Sequence, residues 1–204
     1  MSAAASLVAA LRSHVADERV LDAIRHVPRE AYVPAELRSH AYDNTALGIG
    51  CGQTISQPLV VARMTELLEL RPDDRVLDVG TGSGYHAAIL ATLVAEVWSI
   101  ERHADLSRRA AEALESAGVR NVTLLVGDGS LGLPEHAPFD AINVAAAGGR
   151  ELLGALEAQL APGGRLVAPV TGRRQRLAVA RREGDRLRWR EHEEVRFVPL
   201  VPHR

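Results

Sequence analysis

The sequence predicts an α/β protein built on a doubly wound, mostly parallel sheet. Three observations carry that expectation. From residue 75 onward, short apolar runs alternate with helical patterns of about a dozen residues, the spacing that joins parallel strands. "RVLDVG" (Arg75 to Gly80) ends in glycine and opens directly on "TGSGYHAAIL", a strand, glycine loop and helix in that order. Near the C-terminus, "RLAVARRE" and "LRWREHEEVRFVPL" are separated only by "GDR" (Gly184 to Arg186). That connection is too short for a helical crossover, so it predicts an antiparallel hairpin at one edge.

Residues 3 to 26 read as two helices, one with Leu7, Val8, Leu11 and Val15 on its apolar face, the other with Val20, Leu21 and Ile24. "VPREAYVP" (Val27 to Pro34) is a proline-bounded break, and the chain from there to Gln57 is loop-rich. A helix is expected from Gln57 to Leu70, with Pro58 in its first turn, where a missing N–H costs nothing. Arg75 to Gly80 is the first parallel strand and "YHAAILATLV" the helix after it. "AEVWSIE" (Ala95 to Glu101) is the next strand, and "ADLSRRAAEALESAG" a helix closed by Gly118. "VTLLVGD" and "FDAINVAAA" are strands, and "RELLGALEAQLAPGG" a helix stopped by Pro162, Gly163 and Gly164. "RLVAPV" and the two hairpin runs complete the sheet.

At 204 residues, 47% hydrophobic and 25% charged, the chain suits one domain with enough apolar material for a core. Residues 1–57 are then an N-terminal helical and loop extension, and 58–204 the α/β core. Net charge is −2, which implies no partner by itself. From Arg165 to Arg204 there are 11 Arg against 5 acids, but the signs interleave as on a solvated strand face, so no nucleic acid partner is expected. All 24 basic residues are Arg, which removes Schiff-base chemistry, a phosphate-loop lysine and a Tyr/Lys dehydrogenase pair. A single cysteine, Cys51, excludes an internal disulfide framework and fits a reducing cytoplasm; it reads as a small packed residue. The alanine-rich N-terminus lacks a basic leader pattern, and no apolar stretch approaches the ~20 residues of a membrane span. The eight His are scattered, and "REHEEV" lacks the second His of a zinc-protease helix, so no metal site is expected.

The glycine loop is the candidate ligand site. In such a sheet, ligands lie beyond the carboxyl ends of the strands. Gly80, Gly82 and Gly84 permit a sharp turn and close backbone approach, and the following helix start favours an anion. Thr81 and Ser83 lie within the loop. Glu101 ends the next strand, 21 residues after Gly80, where an acid can accept both hydroxyls of a ribose. Asp128, followed by Gly129, ends the third strand in position to receive a base amine. Asp78 fits either the ligand or a brace beneath the loop. These features do not separate a dinucleotide from S-adenosylmethionine, since Gly82, Gly84 and Ala87 also fit a loose dinucleotide pattern. No convincing hydride-transfer set accompanies them.

A second dense stretch, "GIGCGQTISQP" (Gly48 to Pro58), places glycines and polar residues directly before a helix. Thr54 and Ser56 offer hydroxyls, and the turn and helix start offer backbone donors for an anion. Ser56 also fits a helix N-cap, a role that could coexist with substrate contact, Thr54 a turn hydroxyl, and Gln53 and Gln57 a loop brace.

Together these blocks resemble the protein-L-isoaspartate O-methyltransferases. "DVGTGSGYHAAILA" is similar to the family's cofactor motif and "GCGQTISQPLVVARMTELL" to its substrate-side signature. "VPREAYVP", "GDGSLGLPEHAPFDAI", "QLAPGGRLVAPV" and "VRFVPL" resemble further family blocks in the same order, from Val27 to Leu200. The resemblance implies a Rossmann-like class I methyltransferase fold. It implies methyl transfer from S-adenosylmethionine to the α-carboxylate of an isoaspartyl residue, leaving S-adenosylhomocysteine. The ester then closes to a succinimide, whose hydrolysis returns some normal Asp: protein repair. It implies cofactor contacts from Asp78, Gly80, Thr81, Gly82, Ser83, Gly84, Glu101, Asp128 and Gly129, and substrate contacts from Thr54, Ile55, Ser56 and Gln57. Ser56 stands closest to the transferred methyl, as an orienting hydrogen-bond donor. Isoaspartyl proteins and peptides are the expected partners of a cytoplasmic monomer that needs neither nucleic acid nor membrane.

The chemistry suits these residues. A carboxylate is ionised at neutral pH and already a nucleophile, so no general base is required. Placement in line with the methyl group supplies the catalysis. The chain departs from the family's usual residues at Gly48, Leu59, His86, Ala145 and Gly148, which bears on substrate scope more than on cofactor. The departures at Gly48, Ala145 and Gly148 keep one alternative open, an aspartate O-methyltransferase that forms an aspartimide in a dedicated peptide. A second alternative is a methyltransferase-like binding protein without turnover, against which the intact Glu101, glycine loop and Ser56 stand.

Overall fold

The computed structural model describes residues 2–202. Two helices open the chain, α1 (Ala3–Leu11) and α2 (Glu18–His26). Ser2 caps the first by accepting from the Ala5 amide at 3.2 Å, and Asp17 the second by accepting from Arg19 at 2.9 Å. The apolar faces read from the sequence are all buried. They join Tyr85, Ile89 and Leu106 in one cluster, so the extension belongs to the core.

The stretch expected to be loop contains a short antiparallel hairpin, β1 (Leu47–Gly50) and β2 (Gln53–Ile55). Its turn, Gly50–Cys51–Gly52, has φ of 91°, 53° and 70°, all left-handed, which explains the flanking glycines. Strands of four and three residues with only Ile49 and Ile55 buried leave too little alternation to read in advance. Cys51 is exposed at the tip, not packed.

Helix α3 (Pro58–Leu67) follows at once, with Gln57 as its N-cap residue and Pro58 at the tolerated first position. It stops short of the expected Leu70 because Glu69 adopts a left-handed φ of 46°. Then come β3 (Arg75–Val79), α4 (Tyr85–Ala91), β4 (Glu96–Glu101), α5 (Ala104–Ser116), β5 (Val122–Val126) and β6 (Phe139–Val144). The expected helix over 150–164 is largely absent. A 3₁₀ turn (Arg150–Leu152) and one turn of helix, α6 (Gly154–Glu157), precede β7 (Leu160–Thr171). The Pro162–Gly164 run lies inside that strand as a bulge. Phe139 pairs with Leu160 but Ala141 with Arg165, and the extra residues loop out with Gly163 at φ 75°. Glycines that look like a helix stop are here a strand irregularity.

Strands β8 (Gln175–Glu183) and β9 (Arg186–Glu194) form the expected antiparallel hairpin. The sheet order is β5-β4-β3-β6-β7-β8-β9, parallel from β5 through β7. The order in which strands are added reverses between β3 and β6, the switch point at which open α/β sheets bind ligands. One face carries α3 and α4 over Val76, Val97, Ala141 and Val167; the other packs Leu77, Ile142 and Leu166 against α6. The C-terminal arginines lie mainly on solvated faces, with one exception. Arg165 is buried, donates to the carbonyls of Leu68 and Glu69 at 2.6 Å each, and pairs with Asp74 at 2.7 Å.

Beyond Glu194 the chain leaves the sheet, where the sequence had read continued strand. The Ala147 amide donates to the Val198 carbonyl at 2.8 Å, and the Leu200 amide to the Ala147 carbonyl at 2.7 Å. This extended segment carries Val198 to Val201 across the carboxyl ends of the parallel strands.

Candidate functional site

An open cleft lies at those carboxyl ends, where open α/β sheets bind ligands. The hairpin side contributes Thr54, Ile55 and Ser56. The glycine loop contributes Gly80, Thr81, Gly82 and Ser83, β4 contributes Glu101, and Gly129 closes the floor. Two stretches separated by some two dozen residues of chain therefore share one cavity.

The loop geometry is specific. Gly80, Gly82 and Gly84 have φ of 95°, 54° and 85°, a backbone that side chains adopt only with strain. Gly84 is the N-cap of α4 and does not line the cleft. A Cβ there would meet that of Ala110 at 3.2 Å, so its role in the fold is close packing of α4 on α5. At Gly129 a Cβ would stand 2.6 Å from Val79 Cγ1.

Glu101 is almost fully buried. Its Oε2 accepts from the Gly82 amide and its Oε1 from the His103 amide, both at 2.9 Å. A carboxylate has about four lone-pair positions, so two remain. Asp128 caps the 3₁₀ turn after β5, its Oδ1 accepting from the Ser130 amide at 2.9 Å and hydroxyl at 2.7 Å. The cleft wall beside it is Gly129, not Asp128.

Asp78 is fully buried beneath the loop, outside the cleft lining. Ser99, Asp78 and Asn143 are register neighbours across β4, β3 and β6. Ser99 Oγ and Asn143 Nδ2 each donate to the carboxylate at 2.7 Å. Thr81 Oγ1 lies 2.6 Å from Ser99 Oγ, and with the serine proton committed to Asp78 the threonine donates. On the other side Asn143 reaches His86 Nδ1 at 3.1 Å, and His86 Nε2 reaches Thr65 Oγ1 at 3.0 Å. Thr65 donates to the Val61 carbonyl, so it accepts from His86, which sets the imidazole as the neutral Nε2–H form. Burial agrees, holding His86 down to about 4. This chain of bonds ties the glycine loop to α3.

Burial pushes the Asp78 carboxyl up to about 6; the bonds from Asn143 and Ser99 oppose the rise and nearby Glu101 adds to it. Between about pH 4 and 6 the folded chain thus keeps a proton that the unfolded chain has lost. Stability falls as pH rises through that window, by about 3 kcal/mol at most. Asp78→Asn removes this titration. In urea unfolding from pH 4 to 7, the variant's stability relative to wild type should rise by about that amount. A pH-independent gap between the two proteins would refute it.

On the substrate side Gln57, not Ser56, occupies the N-cap position of α3, and it makes no side-chain cap bond. Gln57 lines an adjoining depression instead of the main cleft. Among the described residues the Ser56 hydroxyl has no hydrogen bond, while the Ser56 carbonyl accepts from Arg29 Nη2 at 2.8 Å. Arg29 is wholly buried, donates also to the Ala41 carbonyl at 2.8 Å, and lies 4.9 Å over the Tyr85 ring. Burial lowers it to about 10, so it stays charged at neutral pH. The sequence reading quoted "VPREAYVP" without assigning Arg29 a task. Arg29 and Glu30 are the two charges between the prolines of that block, and nothing local singles out the arginine. Val198 to Val201 also line the cleft.

The departures from the family pattern leave the cleft open. A Cβ at Gly48 would meet nothing within 4 Å. Ala145 lies against Gly80, its amide donating to the Val79 carbonyl at 2.8 Å. Among the described residues no group of three or more His, Cys, Asp or Glu is placed to hold a metal, and no helix is long and apolar enough to cross a membrane.

Comparison with known proteins agrees with this geometry. A protein-L-isoaspartate O-methyltransferase of Roseiflexus castenholzii is 52% identical over 192 residues, covering 94% of this chain and 88% of its own. One from Halorhodospira halophila is 55% identical over 193 residues, covering 93% and 87%. Among solved structures, a protein-L-isoaspartate O-methyltransferase superposes with a TM-score of 0.87 at 28% identity; the match covers 96% of this chain and 65% of that longer one. A candidate enzyme of the same kind from Plasmodium falciparum, solved with S-adenosyl-L-homocysteine, gives 0.83 at 26% identity and covers 96% and 97%. The family model described as protein-L-isoaspartate(D-aspartate) O-methyltransferase matches residues 2–204, and the chain belongs to that family.

Proposed function

We propose that this protein is a protein-L-isoaspartate(D-aspartate) O-methyltransferase. It methylates the α-carboxylate of L-isoaspartyl residues in damaged proteins and peptides, from S-adenosylmethionine, and so initiates repair through a succinimide. The observation that carries the reading is the shared cleft: the hydroxyl-bearing Thr54–Ser56 strand end faces the same cavity as the glycine loop and Glu101.

The residues fit the cofactor. When bound, S-adenosylmethionine supplies a methyl group on a sulfonium, an electrophile that leaves as S-adenosylhomocysteine. Glu101 offers its two remaining lone-pair positions to a ribose diol. Gly80, Gly82 and Gly129 keep side chains out of the cavity, and Thr81 and Ser83 add polar contacts around the loop. Asp128 holds the turn that bounds the base side and is assigned the base amine. Asp78 and Gly84 act from behind, by bracing the loop and by packing it. Ser56 orients the substrate carboxylate with its free hydroxyl, Thr54 and Ile55 flank it, and Gln57 meets the adjacent peptide. The carboxylate needs no base, and no proton moves in the transfer.

We assign residues 1–57, which supply the substrate strand, and 58–204, which hold the cofactor, to one catalytic unit. It acts as a cytoplasmic monomer, without nucleic acid or membrane. Labelled methyl incorporation into an isoaspartyl peptide and its normal aspartyl twin tests the function. Strong labelling of the first and little of the second is expected; equal labelling, or none, would end it.

A further inference from the structure

A second depression opens off the reactive cleft, and Thr54, Ser56, Ala145 and Val198 line both. Its outer wall is the 194–197 segment, where the chain leaves the sheet, opposite Gln57 and Val60 at the start of α3. Two charged residues stand on that wall, and they are not equivalent. Glu194 is occupied: both its oxygens accept from Arg174 Nη1 at 2.9 Å, and Arg176 Nη1 lies 3.9 Å away. Arg196 is exposed and has no ion pair among the described residues, although its neighbours on β8 and β9 are paired off one against another. The depression therefore presents one uncompensated positive charge beside the residue assigned to the substrate carboxylate.

The isoaspartyl residue of a peptide cannot enter alone; the residues joined to it must leave past Ser56 and Val198. An extended chain advances ~3.3 Å per residue, so a side chain one to three positions away reaches the depression. We propose that this depression receives an acidic side chain flanking the isoaspartyl residue, and that Arg196 selects it. The inference rests on the proposed function and adds a substrate class to it: isoaspartyl sites in acidic sequence. Arg is suited to the task because its guanidinium stays charged and pairs with a carboxylate in a planar fork. The site is open to solvent, so the effect is modest, about two- to fivefold, and is screened by salt.

Three isoaspartyl peptides, alike except for Glu, Gln or Lys at one flanking position, would test this, with each of the three positions on either side scanned in turn. At one position or more, wild type should show the lowest KM for Glu and the highest for Lys, each step about two- to fivefold, with kcat little changed. Arg196→Gln should flatten the order and Arg196→Glu should reverse it, with cofactor affinity unchanged in both. Added salt should compress the wild-type differences. No charge preference in wild type at any position, or the same preference surviving in both variants, overturns the assignment. Failure of wild type to methylate the Gln peptide would instead overturn the parent function, and this inference with it.

Discussion

Glu101→Ala should weaken S-adenosylmethionine binding by roughly two to four orders of magnitude. A hydrogen bond to a charged group is worth about 1.5–3 kcal/mol, and a ribose diol would lose two. The geometry makes the full value available. Glu101 is 5% exposed, and the amides of Gly82 and His103 fix its carboxylate before any ligand arrives. Little ordering remains to offset the gain. The same substitution releases the Gly82 amide, so the loop loses a brace at the point where close approach is needed. Titration calorimetry on the folded variant measures the loss directly. Affinity within about threefold of wild type would show that the two remaining lone-pair positions of Glu101 are not used.

Glu101 also shows why much of this protein was legible in its sequence. The run "AEVWSIE" lies between two helical patterns and is mostly apolar from Val97 to Ile100, so it announced both the strand and its terminal acid. The topology then fixes where that end points. Periodicity likewise disclosed α1, α2 and α5, and the "GDR" connection disclosed the β8–β9 hairpin. In each case the signal is local and repeated over several residues.

What stayed hidden depends on contacts that no local pattern encodes. The β1–β2 hairpin is held by two buried isoleucines and a left-handed turn, too little for a period of two to show. The run at Pro162–Gly164 is ambiguous between a helix stop and a strand bulge, and only pairing of Ala141 with Arg165 resolves it. The turn away from the sheet after Glu194 depends on Ala147, some fifty residues earlier in the chain. Arg29 is the clearest case. Its partners are carbonyls, which every residue possesses, so nothing in the sequence marks Ala41 or Ser56 as the groups it holds. The buried network from Thr81 through Asp78 to His86 combines both kinds of information. Its strand positions were readable, while the choice of Asn143 and Thr65 as relays required the register and the packing of α3.

Ser56→Ala should cut kcat roughly ten- to a hundredfold while leaving cofactor affinity within about twofold, the loss matching one hydrogen bond to a charged group. The two effects separate because the Ser56 hydroxyl supports nothing else. Gln57 takes the N-cap position, and among the described residues no protein group bonds to Ser56 Oγ. The backbone that aims the residue is anchored independently, by buried Ile55 on one side and by Arg29 on the Ser56 carbonyl. Alanine therefore keeps the strand end in place and removes only the donor assigned to the substrate carboxylate. Thermal unfolding of the variant should stay close to wild type, which rules out collapse of the loop as the cause. Single-turnover methylation of an isoaspartyl peptide, alongside cofactor titration, distinguishes the roles. A parallel fall in cofactor affinity would move Ser56 to the cofactor side of the cleft, and unchanged turnover would leave catalysis to the backbone donors and to Thr54.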